Sequence, residues 1–151
     1  MTPLPLPAYL AYRIAAPLAL SVAITLVALP LAGLVSLSIA ANLAAAIAAA
    51  PMAPFYALAL AAFAENKVQG FALIKAMGVL TLPVCFAWFV APPLQWLLGL
   101  DPLFWPARLY WEFAAGGGAT GAAAAYLLIG LAYQALIVAL LIRRFNRRVL
   151  A

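Results

Sequence analysis

No Asp, Glu, Lys or Arg occurs between Arg13 and Glu65, a run of 51 residues. As one continuous helix this run would extend about 77 Å at 1.5 Å per residue. The hydrocarbon core of a bilayer is only about 30 Å thick, so the run must cross twice and turn once. Proline and glycine punctuate it at Pro30-Leu31-Ala32-Gly33, and the turn is placed there. A turn at Pro51-Met52-Ala53-Pro54 would instead leave residues 55–64, too short to span. The expectation is a first span over 9–30 and a second over 35–64, the latter long enough to tilt, to bend at Pro51/Pro54 or to project beyond the bilayer.

Two further spans follow, over 71–90 up to Pro92-Pro93 and over 121–142 up to Arg143. Composition agrees: 70% of the 151 residues are hydrophobic, 7% are charged and the mean hydropathy is +1.17, outside the range of soluble domains. A net charge of +5 spread over so apolar a chain makes no contiguous basic face, which argues against nucleic acid as a partner. The charges set topology instead. With four crossings, Arg13, Lys67, Lys75, Arg143, Arg144, Arg147 and Arg148 fall on one side and only Arg108 on the other. Lys and Arg are retained on the cytoplasmic side, so both termini and a connection over 65–70 are expected there. The fold class is all-α integral membrane, multi-pass in the cell membrane, as one transmembrane domain over 1–151. The N-terminus has no basic residue before its apolar run, which is too long for a cleavable signal, so it is expected to be retained.

The outer segment, 91–120, contains Leu-Asp-Pro-Leu-Phe-Trp-Pro-Ala-Arg-Leu-Tyr-Trp-Glu-Phe (100–113), dense in Trp and Tyr. Amphipathic aromatics favour the boundary between lipid and water. The segment reads as a short amphipathic helix or re-entrant piece at the outer surface, with Asp101 as an N-cap before Pro102. Its roles are interfacial anchoring or substrate gating. The Gly-Gly-Gly-Ala-Thr-Gly stretch (116–121) then leads into the last span through a flexible or closely packed link.

Several chemistries are excluded. Neither lysine is followed by Ser or Thr, so no phosphate-binding loop is present, and without histidine there is no Ser-His or Cys-His pair. Cys85 stands alone, which precludes a disulfide framework or a Cys/His metal cluster within the chain. Glu65 lies on the opposite side from Asp101 and Glu112, and these two share a short segment whose simpler use is capping and surface charge, so no paired-acid site is read and no catalytic residue is assigned. Apart from Arg13 and Lys75 at the span margins, no charged residue lies within a span, which argues against a proton relay. Polar neutral residues do occur there: Ser21, Thr25, Ser36, Ser38, Asn42 and Gln134. Asn42 and Gln134 are candidates for intramembrane polar contacts, either to a substrate or between helices. Ala41/Ala45, Ala45/Ala49 and Gly117/Gly121 carry small residues four apart, a weak signal for a helix-packing face.

The polar cluster in Phe-Ala-Glu-Asn-Lys-Val-Gln-Gly-Phe-Ala-Leu-Ile-Lys (63–75) interrupts the apolar chain between the second and third spans. Its pattern reads as a solvated connection or as a short surface helix feeding the third span, with Gly70 allowing a change of direction. Asn66, Lys67, Val68, Gly70, Ala72, Leu73 and Lys75 match the "NKVEGLALxK" element of membrane subunits of ATP-binding cassette (ABC) transporters. The resemblance is to the type 2 exporter class, especially drug-export-like permeases, and it covers most of 55–148. Gln69 stands where glutamate is commoner and Phe71 where leucine is. The resemblance implies a permease subunit that moves a lipophilic or drug-like substrate, with ATP and Mg bound and hydrolysed by a separate cytosolic subunit. It also implies that Glu65, Asn66, Lys67, Gln69, Gly70 and Lys75 couple to that ATPase, that this chain holds no cofactor or metal, and that it is no enzyme by itself. Members of that class have about six spans, and these four match the third to sixth. The other two belong to a second polypeptide or are absent from a shortened chain; a second permease copy or a complementary membrane subunit is the expected partner, with lipid around it. The alternative reading is a noncatalytic four-helix scaffold or assembly subunit of a larger complex.

Overall fold

The structure is a computed structural model that describes residues 6–116 and 121–150. Its helices are α1 (Leu6–Ala32), α2 (Ile39–Ala49), α3 (Met52–Phe63), α4 (Lys67–Phe86), α5 (Pro92–Gln95), α6 (Phe104–Ala114) and α7 (Gly121–Leu150). Short 3₁₀ turns follow α4 at Ala87–Phe89 and α5 at Trp96–Leu100. Four stretches are long and apolar enough to cross a membrane: Ala8–Ala32, Ile39–Phe63, Lys67–Phe89 and Gly121–Arg147. The four-span all-α membrane architecture is therefore present. Most of the link at 116–121 and Gly117 of the small-residue pair lie outside the described residues.

Each boundary has a local cause. The chain leaves α1 through Gly33, whose φ of 63° is a left-handed conformation that favours glycine. It enters α2 where the Ser38 hydroxyl accepts from the Ala41 amide at 3.2 Å. The second span is bent, as expected, at its prolines. Pro51 has no N–H to continue the α2 ladder and Pro54 none to offer the Ala50 carbonyl, which is met instead by Ala53 at 3.2 Å in a tighter turn.

Asn42 shows why an amide sits in the second span. Pro30, inside α1, cannot donate to the carbonyl four residues earlier, that of Leu26. Asn42 Nδ2 donates to this carbonyl at 3.1 Å and ties α2 to α1. A freed backbone acceptor within lipid is thus satisfied by a neighbouring helix.

The core is built from small residues. Ala45, Ala46 and Ala48 of α2 are buried within this chain, and Ala48 meets Leu109 of α6 and Ala123 of α7. At the other end of the bundle, Leu58, Ala59 and Ala62 of α3 pack with Leu141 of α7, flanked by Ile14 of α1 and Met77 of α4. Alanine faces allow close helix approach, which supplies dispersion where lipid offers no hydrophobic drive between helices.

The segment before the last span, expected at the outer surface, contains a short helix, α6, but folds back along α7 as a hairpin that runs deep, a correction to its placement. The 3₁₀ turn Trp96–Leu100 descends, the chain reverses at 101–103, and α6 climbs back. Asp101 is not the N-cap of α6, which is Leu103 and has no side-chain cap bond; its Oδ1 instead accepts from the Leu103 amide at 2.8 Å and closes the reversal two residues ahead of that cap. Successive levels of the hairpin meet successive levels of α7. Trp96 and Arg108 lie against Tyr126, Trp105 against Gly130, and the tip carbonyls of Leu100 and Pro102 accept from Tyr133 Oη and Gln134 Nε2. Gln134 stands thirteen residues from each end of the Gly121–Arg147 span, so the tip reaches mid-depth. Irregular backbone survives there because α7 supplies donors to its carbonyls.

Candidate functional site at the basic end

The corner between α3 and α4 is set by side-chain caps. The Asn66 carboxamide oxygen accepts from the Gln69 amide at 2.9 Å, and Gln69 Oε1 accepts in return from the Glu65 amide at 2.8 Å. This reciprocal pair resembles a capping box, with the backward bond one residue further out than usual. It starts α4 at Lys67, so Lys67, Gln69 and Gly70 are helical and only 64–66 link α3 to α4. Gly70 therefore does not turn the chain, a correction to its expected role; the caps at Asn66 and Gln69 fix the reversal before it. A Cβ there would meet Ala64 and Leu60 at ordinary contact distance, 3.7 and 3.8 Å.

Glu65, Asn66, Lys67, Gln69 and Lys75 are all exposed, and the first four crowd this one corner. Lys75 lies two turns along α4, and its Nζ sits over the Phe71 ring, 4.7 Å from the centroid and one turn nearer the corner. The long side chain thereby reaches back along the helix, as lysines near span ends do.

α7 brings the other charges. Ala62, Phe63, Glu65, Leu140, Arg143, Arg144 and Arg147 line a groove of about 530 Å³. The Arg144 guanidinium lies 4.3 Å from the Phe63 ring centroid, which fixes one wall by a cation–π contact. Across the corner, Phe63, Glu65, Gln69, Ala72, Leu73 and Ala76 line a second groove of about 420 Å³. Phe63 and Glu65 form the ridge between the two. Arg13 belongs to the same end, because Ile14 beside it packs on Ala62, Leu141 and their neighbours. Arg108 alone stands at the opposite end, over Tyr126 near the start of α7.

The two intramembrane amides are not brought together. Asn42 engages Leu26 of α1, whereas Gln134, 2% exposed, engages Pro102 at the hairpin tip. Both donate to backbone carbonyls, Asn42 to a neighbouring helix and Gln134 to the hairpin turn. Sequence reasoning missed Phe63, whose only signal was an aromatic side chain just before the polar cluster, and it missed the depth of Asp101, which it singled out only as a cap at the surface. Among the described residues no group of three or more His, Cys, Asp or Glu is placed to hold a metal.

These features define a class: a multi-pass helical membrane protein with a re-entrant hairpin and one basic, grooved end. Residues 1–142 match the family described as Rv2686c-like fluoroquinolones export permease proteins, and the chain belongs to that family. It is 34% identical over 87 residues to two proteins named fluoroquinolones export permease, Rv2686c of Mycobacterium tuberculosis strain H37Rv and MT2760 of strain CDC 1551. Each match covers 56% of this chain and 32% of the relative, so the matched part spans about a third of the relatives' length. No solved structure matches.

Proposed function

We propose that this chain forms part of the membrane subunit of an ABC exporter in the cell membrane, with both termini and the α3–α4 corner cytoplasmic. The observation that carries the reading is the corner itself. A capped, rigid turn presents Glu65, Asn66, Lys67 and Gln69 between two open grooves, at the end where seven of the eight Lys and Arg residues collect. A cytosolic ATPase seated there would act on α3, α4 and α7 at once, because all three end at or border the grooves. Closure of the ATPase dimer would then displace these helix ends and change which side of the pathway is open. ATP and Mg belong to that partner; this chain transmits force and has no catalytic role. The cargo is lipophilic or drug-like, in keeping with the fluoroquinolones in the relatives' names. A second permease copy or a complementary membrane subunit completes the pathway.

Gentle extraction of the chain is expected to co-purify an ATPase that carries a phosphate-binding loop. Changing Glu65 and Lys67 together to alanine is expected to remove that partner while the chain stays folded, since neither side chain makes the cap bonds. A stable chain with no ATPase in either form would overturn the reading in favour of a scaffold.

A further inference from the structure

The hairpin tip puts a carboxylate where the sequence seemed to place none. Asp101 lines a cavity of about 300 Å³ together with Phe55 and Tyr56 of α3 and Met77, Leu80 and Thr81 of α4. Met77 lies ten residues into the Lys67–Phe89 span and twelve from its end, so the cavity sits at mid-depth by this measure as well as by Gln134. Among the described residues, the Asp101 carboxylate accepts one hydrogen bond, from the Leu103 amide to Oδ1, and has no ion pair. The Thr81 hydroxyl donates to its own helix at Gly78. Leu80 is 72% exposed, so the cavity opens sideways between α3 and α4 toward lipid.

An ionisable group at membrane depth is costly, and an acidic side chain there ordinarily marks a pathway or a bound cation. An apolar cavity with one acceptor-only group selects for a ligand that is mostly hydrophobic and carries one positive charge. We propose that Asp101 and the Phe55, Tyr56, Met77 and Leu80 walls bind a lipophilic cation, an arylalkyl amine in its ammonium form, reached from the bilayer through the α3–α4 cleft. The ammonium donates to the free carboxylate oxygen and the aromatic body replaces lipid against α3 and α4. This deepens the exporter reading by giving the charge class of its cargo, and it rests on that reading only for the meaning of the site.

The test is binding to the isolated chain in nanodiscs, without nucleotide or partner, by equilibrium dialysis of 1-naphthylmethylamine and of its neutral counterpart 1-naphthylmethanol. Asp101→Asn keeps an oxygen that can cap Leu103, so the tip stays formed. It is expected to weaken amine binding about tenfold to a hundredfold, the worth of one charge-assisted hydrogen bond, and to leave the alcohol unchanged. Leu80→Trp, on an exposed position, is expected to block both by filling the cavity. Equal losses of amine and alcohol in Asp101→Asn, or amine binding by the parent no tighter than by Leu80→Trp, would overturn the proposal. Neither result bears on the ATPase partner, whose presence is read independently by co-purification.

Discussion

Gly130→Leu is expected to unseat the re-entrant hairpin from α7 and lower the stability of the chain by about 3 kcal/mol, the upper range for overpacking a filled site. A Cβ on Gly130 would stand 2.6 Å from the Trp105 Cβ and 3.9 Å from its Cα. Those atoms are fixed by the α6 backbone, so no rotamer change relieves the clash, and the whole hairpin must move. Movement would draw the Leu100 and Pro102 carbonyls away from Tyr133 and Gln134, which adds the cost of unsatisfied backbone acceptors at membrane depth. Gly78→Ala is the control. Nothing lies within 4 Å of its new Cβ, so thermal unfolding in detergent is expected to shift little or slightly upward. Equal losses in the two variants would mean that glycine matters here for helix flexibility and not for the Trp105 approach.

Asn42→Leu is expected to destabilise the α1–α2 pair by about 1 kcal/mol, because the Leu26 carbonyl then has no donor in an apolar surround. The cause lies in Pro30, and this gives the prediction its discriminating arm. Pro30→Ala restores a backbone N–H four residues from Leu26, so the carbonyl returns to its own helix. In that background Asn42→Leu is expected to cost a few tenths of a kcal/mol at most, a coupling that a double-mutant cycle on thermal stability reads directly. Additive losses would assign Asn42 to something other than this carbonyl.

The four spans were legible because length alone forces them: a 51-residue uncharged run cannot cross once, and Pro30-Gly33 is where it is free to turn. The bend at Pro51/Pro54 was legible for a similar reason, since a missing N–H is a property of the residue itself. The corner was half legible. Its polar letters located it, but whether Gly70 or the Asn66/Gln69 caps end the turn depends on bonds between side chain and backbone, which spacing does not rank. The depth of the hairpin was not legible, because aromatics with one Asp, one Arg and one Glu have the same composition on a membrane surface or tucked against α7. Gly130 held the missing information. A lone glycine in an apolar span is a place where something approaches closely, yet only the fold shows that the visitor is Trp105. Asp101 followed the hairpin inward and brought a carboxylate to mid-depth from outside the four spans, where a reading of the spans alone finds none.

We propose the α3–α4 corner as the seat of a cytosolic ATPase. A photo-crosslinking side chain in place of Val68, 79% exposed and outside the cap bonds, probes that seat in cells without touching Glu65, Lys67 or the Asn66/Gln69 caps; one at Leu100, exposed near the hairpin tip, is the comparison. The expected result is a crosslink from position 68 to an ATPase with a phosphate-binding loop, and none to it from position 100. Crosslinks from position 68 to lipid alone, or to a protein outside the cytoplasm, would contradict both the orientation and the role.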